Sequence, residues 1–402
     1  MEHSNDFIVT LVAGLVLAFI FGLLAQRLKL SPLIGYLLAG VLCGPYTPGF
    51  VADSDLAGQM AEIGVILLMF GVGLHFSPKD LLAVRGVALP GALVQITVAT
   101  ALGFGLGMLA GFGAFESFLF GFALSVASTV VLLRALEDRG ALHTEDGKIA
   151  VGWLIVEDLA MILALVMIPA IIQVSNNGGS LASIGPAITL TVGKMALFIV
   201  LMMVIGTRIL PKVLIWIAKL RSRELFTLGV VAIALGIAFA ASTWFGASFA
   251  LGAFLAGLVL SESEISHKAA ERTLPLSDIF SVLFFVSVGM LFDPSILITE
   301  PLLVLGVVFI IMIGKSLAAL LIIKAFKKPL STGMTIAASL AQIGEFSFIL
   351  AGVGLHAGVL SQDANGLILA GALISIALNP FFFRGLEWLG RKLQPVTPVE
   401  AT

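Results

Sequence analysis

The chain has 402 residues, 59% hydrophobic and only 11% charged, with a mean hydropathy of +1.13, which excludes a water-soluble globular protein and defines a polytopic membrane protein. A formal net charge of −2 and a single cysteine, Cys43, speak against a nucleic-acid partner and exclude an intrachain disulfide or a multi-cysteine metal site. The acidic start, Met1 to Asp6, runs into an apolar stretch as long as a full span, so no cleavable signal peptide is expected.

In chain order, the apolar runs predict an all-α protein of thirteen transmembrane helices at 7–26, 31–45, 58–76, 87–111, 114–134, 148–173, 188–220, 224–241, 245–261, 275–292, 301–325, 331–355 and 364–388. The basic piece 213–219 is read as the end of the seventh helix. Of the 22 Lys and Arg, all but Lys194 and Lys315 fall in alternate connections or at their edges. The positive-inside rule makes that set cytoplasmic, with the N terminus outside and the C terminus inside.

Compared with itself at an offset of 216 to 217 residues, the chain repeats. Ile34 to Val41 matches Leu251 to Leu258; Gly73, Phe76 and Pro78 match Gly289, Phe292 and Pro294; Ala123-Leu124 falls on Ser339-Leu340. The offset equals seven spans, and an odd number of spans inverts the second copy. The expected organisation is one transmembrane domain over 1–394, with repeat 1 at about 7–173 (helices 1–6), a linker helix at about 188–220, and repeat 2 at about 224–388 (helices 8–13). Residues 395–402 are read as a tail or the start of a linker.

Two spans of the repeat are interrupted near their centres: the fifth by Ser125-Val126-Ala127-Ser128-Thr129, and its mate, the twelfth, by Ala341-Gln342-Ile343-Gly344-Glu345-Phe346. Crossed discontinuous helices 5 and 12 are therefore expected, with freed carbonyls and half-helix ends available to an ion. In the sixth span the adjacent carboxylates Glu157 and Asp158 interrupt an apolar run. If that span starts near Lys148, Asp158 lies about 15 Å deep at 1.5 Å per residue. An ionisable residue at that depth marks an ion or proton path.

Lys315 lies equally deep in the eleventh span, about 15 Å from its inner end, and needs a carboxylate partner or a lowered proton affinity. We expect it to pair with Glu157, leaving Asp158 to the cation together with Ser125, Ser128 and Thr129. Glu345 reads equally as part of the ion path or as a helix cap. Asn379-Pro380 is expected to bend the last helix while Asn379 satisfies freed backbone. His75, His143, His267 and His356 lie near span ends or in loops, and no metal cofactor is expected from them.

The chain resembles the membrane domain of bacterial Kef-like monovalent cation:proton antiporters of the second cation:proton antiporter superfamily. The resemblance rests on Leu37 to Val41 with Gly44-Pro45, Phe70 to Leu74 with Pro78, Ser128-Thr129, Glu157-Asp158, Phe284 to Met290, Lys315, and Gln342 with Gly344 to Phe346. It implies a bacterial inner-membrane homodimer of thirteen-helix subunits in contact with lipid, exchanging potassium for protons without a cofactor, with Asp158 as the shared binding carboxylate and Glu157 and Lys315 beside it. Kef-type proteins commonly carry Gln where this chain has Glu157, so a sodium/proton antiporter is the nearest alternative and a gated potassium channel the next. The family also implies a nucleotide-binding regulatory domain beyond the membrane region; either this protein lacks it or the Pro-rich end, Gln394 to Pro398, is the linker where it was cut away, the reading favoured.

Overall fold

The computed structural model describes residues 3–28, 30–48, 51–75, 78–137, 139–142, 144–176, 193–247, 249–261, 263 and 265–393. The start of the expected linker helix, Phe76, His143 and the tail 395–402 lie outside the described residues. The described residues form helices and turns, with no strand among them. In a lipid environment a helix satisfies its own backbone polar groups, so an apolar chain folds this way.

The helices are α1 (His3–Arg27), α2 (Pro32–Cys43), α3 (Ser54–His75), α4 (Pro78–Leu109), α5 (Ala114–Ser125), α6 (Thr129–Glu137) and α7 (Glu145–Asn176). They continue with α8 (Gly193–Lys219), α9 (Arg223–Phe245), α10 (Phe249–Ser261), α11 (Ser266–Met290), the short α12 (Ile296–Thr299), α13 (Pro301–Ala325), α14 (Leu330–Leu340), α15 (Glu345–His356) and α16 (Gln362–Leu393). Helix α9 starts where Ser222 accepts a hydrogen bond from the Leu225 N–H at 3.2 Å, the usual service of an N-cap serine.

Every expected span carries helix, though length and composition alone do not number the crossings. Seven described helices are long and apolar enough to cross a membrane, eight if the bent pair α14 and α15 counts as one span. Among those outside this number, α2 and α5 have 12 residues each, and a helix that short rises about 18 Å against a hydrocarbon core of roughly 30 Å.

The chain divides into two compact units, one of residues 1–78 and 160–293, the other of 79–159 and 294–402. Neither unit coincides with a sequence repeat, since each takes helices from both halves of the chain.

In the first unit, α2 crosses α11 and α3 crosses α10 through glycines. A Cβ on Gly40 would run into the Val286 carbonyl, and one on Gly289 into that of Leu37; likewise Gly257 faces the Phe70 carbonyl and Gly73 that of Phe254. Small residues let the backbones touch, which supplies the packing that lipid cannot drive. Gly40 and Gly257 are 217 residues apart, Gly73 and Gly289 are 216 apart, so the same crossing occurs twice at the offset of the repeat.

In the second unit a core forms around Trp153 of α7, with Leu132, Leu136, Ile149, Ala319, Ile336 and Leu340. Its basic-loop end is tied by polar contacts. Lys328 donates to Glu145 at 2.6 Å, Thr332 to Asp146 at 2.6 Å, and Arg139 to Glu387 at 2.9 Å while its guanidinium lies 4.0 Å above the Phe383 ring.

Two outcomes follow from these contacts. Gly40→Ala should lower the unfolding temperature in detergent, by a loss of about 1–3 kcal/mol typical of overpacking, whereas Gly58→Ala, with no atom within 4 Å of its added Cβ, should not. The Lys328 ammonium holds the Glu145 carboxyl below its ordinary value. The pair's contribution is therefore complete above the ordinary carboxylate value and lost as pH falls through the lowered one. Lys328→Met should raise the Glu145 titration midpoint, read by carboxyl-labelled NMR, with little change in unfolding temperature because the pair is exposed.

Candidate functional site

All the expected site residues fall in the second unit. Helix α5 stops at Ser125 and α6 starts at Thr129, leaving Val126, Ala127 and Ser128 outside either helix. Helix α14 stops at Leu340 and α15 starts at Glu345, bent by 41°. The two gaps meet: a Cβ on Gly344 would overlap the Ser128 side chain, so glycine at 344 is what permits the approach.

A helix broken inside the bilayer frees carbonyls and N–H groups that must find partners in the protein. Here they do. Gln95 of α4, itself fully buried, donates to the Ser125 carbonyl at 3.0 Å and is approached by the Trp153 indole N–H at 3.4 Å. Ser347 donates to the Ala123 carbonyl at 2.6 Å. On the other break, Ser316 donates to Ala337 at 2.9 Å and Asn379 to Ala338 at 2.9 Å. Asn379 thus serves α14 rather than freed backbone of its own helix.

Gln342 joins the two breaks. Its Oε1 accepts the Ser128 N–H at 2.9 Å, and its Nε2 donates to the Ser128 carbonyl and to the Ser339 carbonyl, each at 3.2 Å. Ser128 Oγ donates to Glu345 Oε2 at 2.9 Å and accepts from the Val131 N–H at 3.3 Å, so Glu345 bridges to the other break as a cap.

The adjacent acids on α7 reach the first break from either side of Ser128. Glu157 Oε2 accepts the Ala127 N–H at 2.8 Å, and Asp158 Oδ2 accepts the Thr129 hydroxyl at 3.2 Å. The other oxygen of each, Glu157 Oε1 and Asp158 Oδ1, is buried without a hydrogen-bond donor. Relative exposures of 0% for Glu157 and 6% for Asp158 place both acids inside the protein.

Lys315 follows a π-helical turn at Ile310–Gly314, a widening often found at functional positions, and is fully buried. The expected direct pair with Glu157 is not formed among the described residues. The Lys315 ammonium instead donates to the Gln342 carbonyl at 3.1 Å, within electrostatic reach of Glu157. The carboxylate is drawn to the Ala127 N–H, whereas the lysine caps the end of α14, where carbonyls point.

Of the four expected cation ligands, the structure brings Thr129 and Asp158 into contact. Ser128 turns to Glu345, and Ser125 donates to the Phe122 carbonyl of its own helix at 2.7 Å. Gln95 escaped the sequence reading because a lone glutamine in an apolar run carries no pattern. Gln342 stood inside the interruption, but nothing in the sequence said that it spans to Ser128. Among the described residues no three His, Cys, Asp or Glu gather as a metal-holding group.

Crossed broken helices over a buried acidic pair, in an all-helical chain with several membrane-spanning helices, define a membrane transport protein. The same fold is seen in the sodium proton antiporter MjNhaP1 from Methanocaldococcus jannaschii, with a TM-score of 0.71 at 19% identity over 97% of this chain and 98% of that one. Residues 15–386 match the family described as sodium/hydrogen exchanger, transmembrane, and the chain belongs to that family. It is 57% identical over 388 residues, 96% of this chain and 70% of the relative, to YbaL of Escherichia coli strain K12, named "Putative cation/proton antiporter". It is 29% identical, over 97% of this chain and 32% of the relative, to the chloroplastic K(+) efflux antiporter 1 of Arabidopsis thaliana.

The Gln95 bridge can be tested directly. Gln95→Leu strands the Ser125 carbonyl and the Trp153 indole N–H, and should cost about 1–3 kcal/mol of stability per buried unpaired group. Adding Trp153→Phe should then cost less than it does in the wild-type background, because its partner is already gone. Thermal unfolding of the single and double variants in detergent measures both.

Proposed function

We propose that this protein is a monovalent cation/proton antiporter working by alternating access, with cation and proton competing for Asp158. The observation that carries the reading is Asp158 Oδ1, an acceptor without a donor, buried where two interrupted helices cross. An ionised carboxylate so placed is costly. A dehydrated cation offsets that cost on one side of the membrane and a proton on the other, and one group cannot hold both. Competition at one site couples the two fluxes without covalent chemistry, so the protein is a transporter and not an enzyme.

Because the Ser125, Gln342 and Ala338 carbonyls each meet a protein donor, the cation's ligands are proposed to be Asp158, the Thr129 hydroxyl oxygen and the spare oxygen of Glu157. Lys315 sets the charge of the acidic pair and does not bind the transported ion, since it is itself a cation. The transported ion is read as potassium on the similarity to the plant K(+) efflux antiporter. The matching structure named for sodium shares the fold and makes sodium the ion to test against it. A homodimer in the bacterial inner membrane, N terminus outside and C terminus in the cytoplasm, with helices 1–6 and 8–13 as inverted repeats, completes the proposal. The recurrence of the glycine crossings at the repeat offset supports the repeats.

Asp158→Asn should insert and unfold like the wild type, yet show no proton release in proteoliposomes when potassium or sodium is added across pH 6 to 9. Wild-type exchange in that variant would sink the proposal. The same assay with a clamped membrane potential reads whether net charge moves in each cycle.

A further inference from the structure

We propose that Gln342 is the positioning residue that sets which alkali cation the site selects, an inference that rests on the antiport reading above. Its side chain pairs with the main chain of a single residue, Ser128, as one amide pairs with another. The oxygen takes the Ser128 N–H at 2.9 Å, and the nitrogen gives a hydrogen to the Ser128 carbonyl at 3.2 Å. Since Ser128 presents one donor and one acceptor of fixed identity, the carboxamide has one orientation only. A second hydrogen goes to the Ser339 carbonyl, tying the same side chain back to its own half-helix.

The consequence lies one residue to either side. Ala127 gives its N–H to Glu157 and Thr129 its hydroxyl to Asp158. Holding the Ser128 peptide therefore fixes both contacts, and with them the positions of the unpartnered Glu157 Oε1 and Asp158 Oδ1. Ions differing only in radius are told apart by how rigidly their oxygen ligands are spaced and by how many there are. Gln342 touches no free carboxylate oxygen in the structure; it acts through the three-residue break. Its own carbonyl receives the Lys315 ammonium, so the same residue also spaces the built-in cation from the acidic pair.

Two substitutions separate this role from simple support. Gln342→Met keeps the length of the side chain and loses both hydrogen bonds to Ser128. Gln342→Glu restores them only when protonated, because a carboxylic acid, like a carboxamide, offers one acceptor and one donor, whereas a carboxylate meets the Ser128 carbonyl with a second acceptor.

The measurement is the half-saturating concentration of lithium, sodium, potassium and rubidium for proton release from proteoliposomes, at several pH values. The wild type should show a spread of preferences. Gln342→Met should shrink that spread by about tenfold, as loss of one or two hydrogen bonds implies, with a smaller change in maximal rate. Gln342→Glu should approach the wild-type spread at low pH and lose it at high pH, a dependence that mere support of the fold would not produce. An unchanged spread in Gln342→Met, a flat series in the wild type, or a pH-independent spread in Gln342→Glu overturns the inference while leaving antiport standing. No cation-driven proton release from the wild type with any of the four ions overturns the antiport reading itself.

Discussion

Breaking two helices inside an apolar environment is the constraint on which the rest of this structure depends. Each break frees backbone groups that water cannot reach, at a cost of several kcal/mol per unsatisfied group in hydrocarbon. The fold answers with side chains from several neighbouring helices: Gln95 from α4, Lys315 and Ser316 from α13, Asn379 from α16, and Gln342 and Ser347 from the broken partner itself. Many of the buried polar residues of the second unit are committed to this task, while others, such as Ser117, Thr332 and Ser375, bond elsewhere. Four buried side-chain atoms among the described residues are left without a partner, Thr100 Oγ1, Asn365 Nδ2, Glu157 Oε1 and Asp158 Oδ1, and the two carboxylates lie against the first break.

The two units solve the same packing problem with different chemistry. In the first, backbones touch directly at glycines, with carbonyls lying where a Cβ would be; such contacts need no polar side chain, and the buried hydrophobic residues around Cys43 and Met290 are correspondingly plain. In the second, glycine at 344 lets two breaks approach, and polar side chains then fill the gap. The offset of about 216 residues runs through both, relating Gly40 to Gly257 in one and Ser128 to Gly344 in the other. A shared backbone plan has thus been filled with small residues where surfaces only meet, and with amides and acids where charge must be held.

Much of this was legible in the sequence, for identifiable reasons. Apolar runs fix helices because lipid permits little else, and a Gly/Ser/Gln interruption in an otherwise apolar run has few explanations, so both breaks were found where the helices stop. What could not be read was partnership. Lys315 and Glu157 are opposite charges at matching depth, which suggested a direct pair, yet the lysine meets the Gln342 carbonyl. Several of the freed carbonyls that looked available for an ion meet protein donors, among them Ser125, Ala338 and Gln342, because whether a carbonyl is free depends on side chains such as Gln95 and Asn379 that lie far away in sequence. Ser125, placed in the cation shell by its position in the interruption, is still within α5 and bonds its own helix.

The occupied carbonyls change what the residue at position 157 means. If main-chain oxygens solvated the cation, a neutral amide before Asp158 would serve as well as an acid, because either can accept the Ala127 N–H. With the Ser125, Ala338 and Gln342 oxygens each engaged by a protein donor, the spare oxygen of residue 157 gains weight as a source of a ligand. A glutamine there would present either its second acceptor lone pair or its NH₂ group, and the latter repels a cation. Glutamate presents a second carboxylate oxygen, and Glu157 Oε1 is left without a donor. In the proposed antiporter, a site built on two acids would hold its cation by charge more than by a cage of dipoles. In the proposed antiport cycle Lys315, one carbonyl away at Gln342, would offset the cost of two adjacent acids when neither ligand is bound.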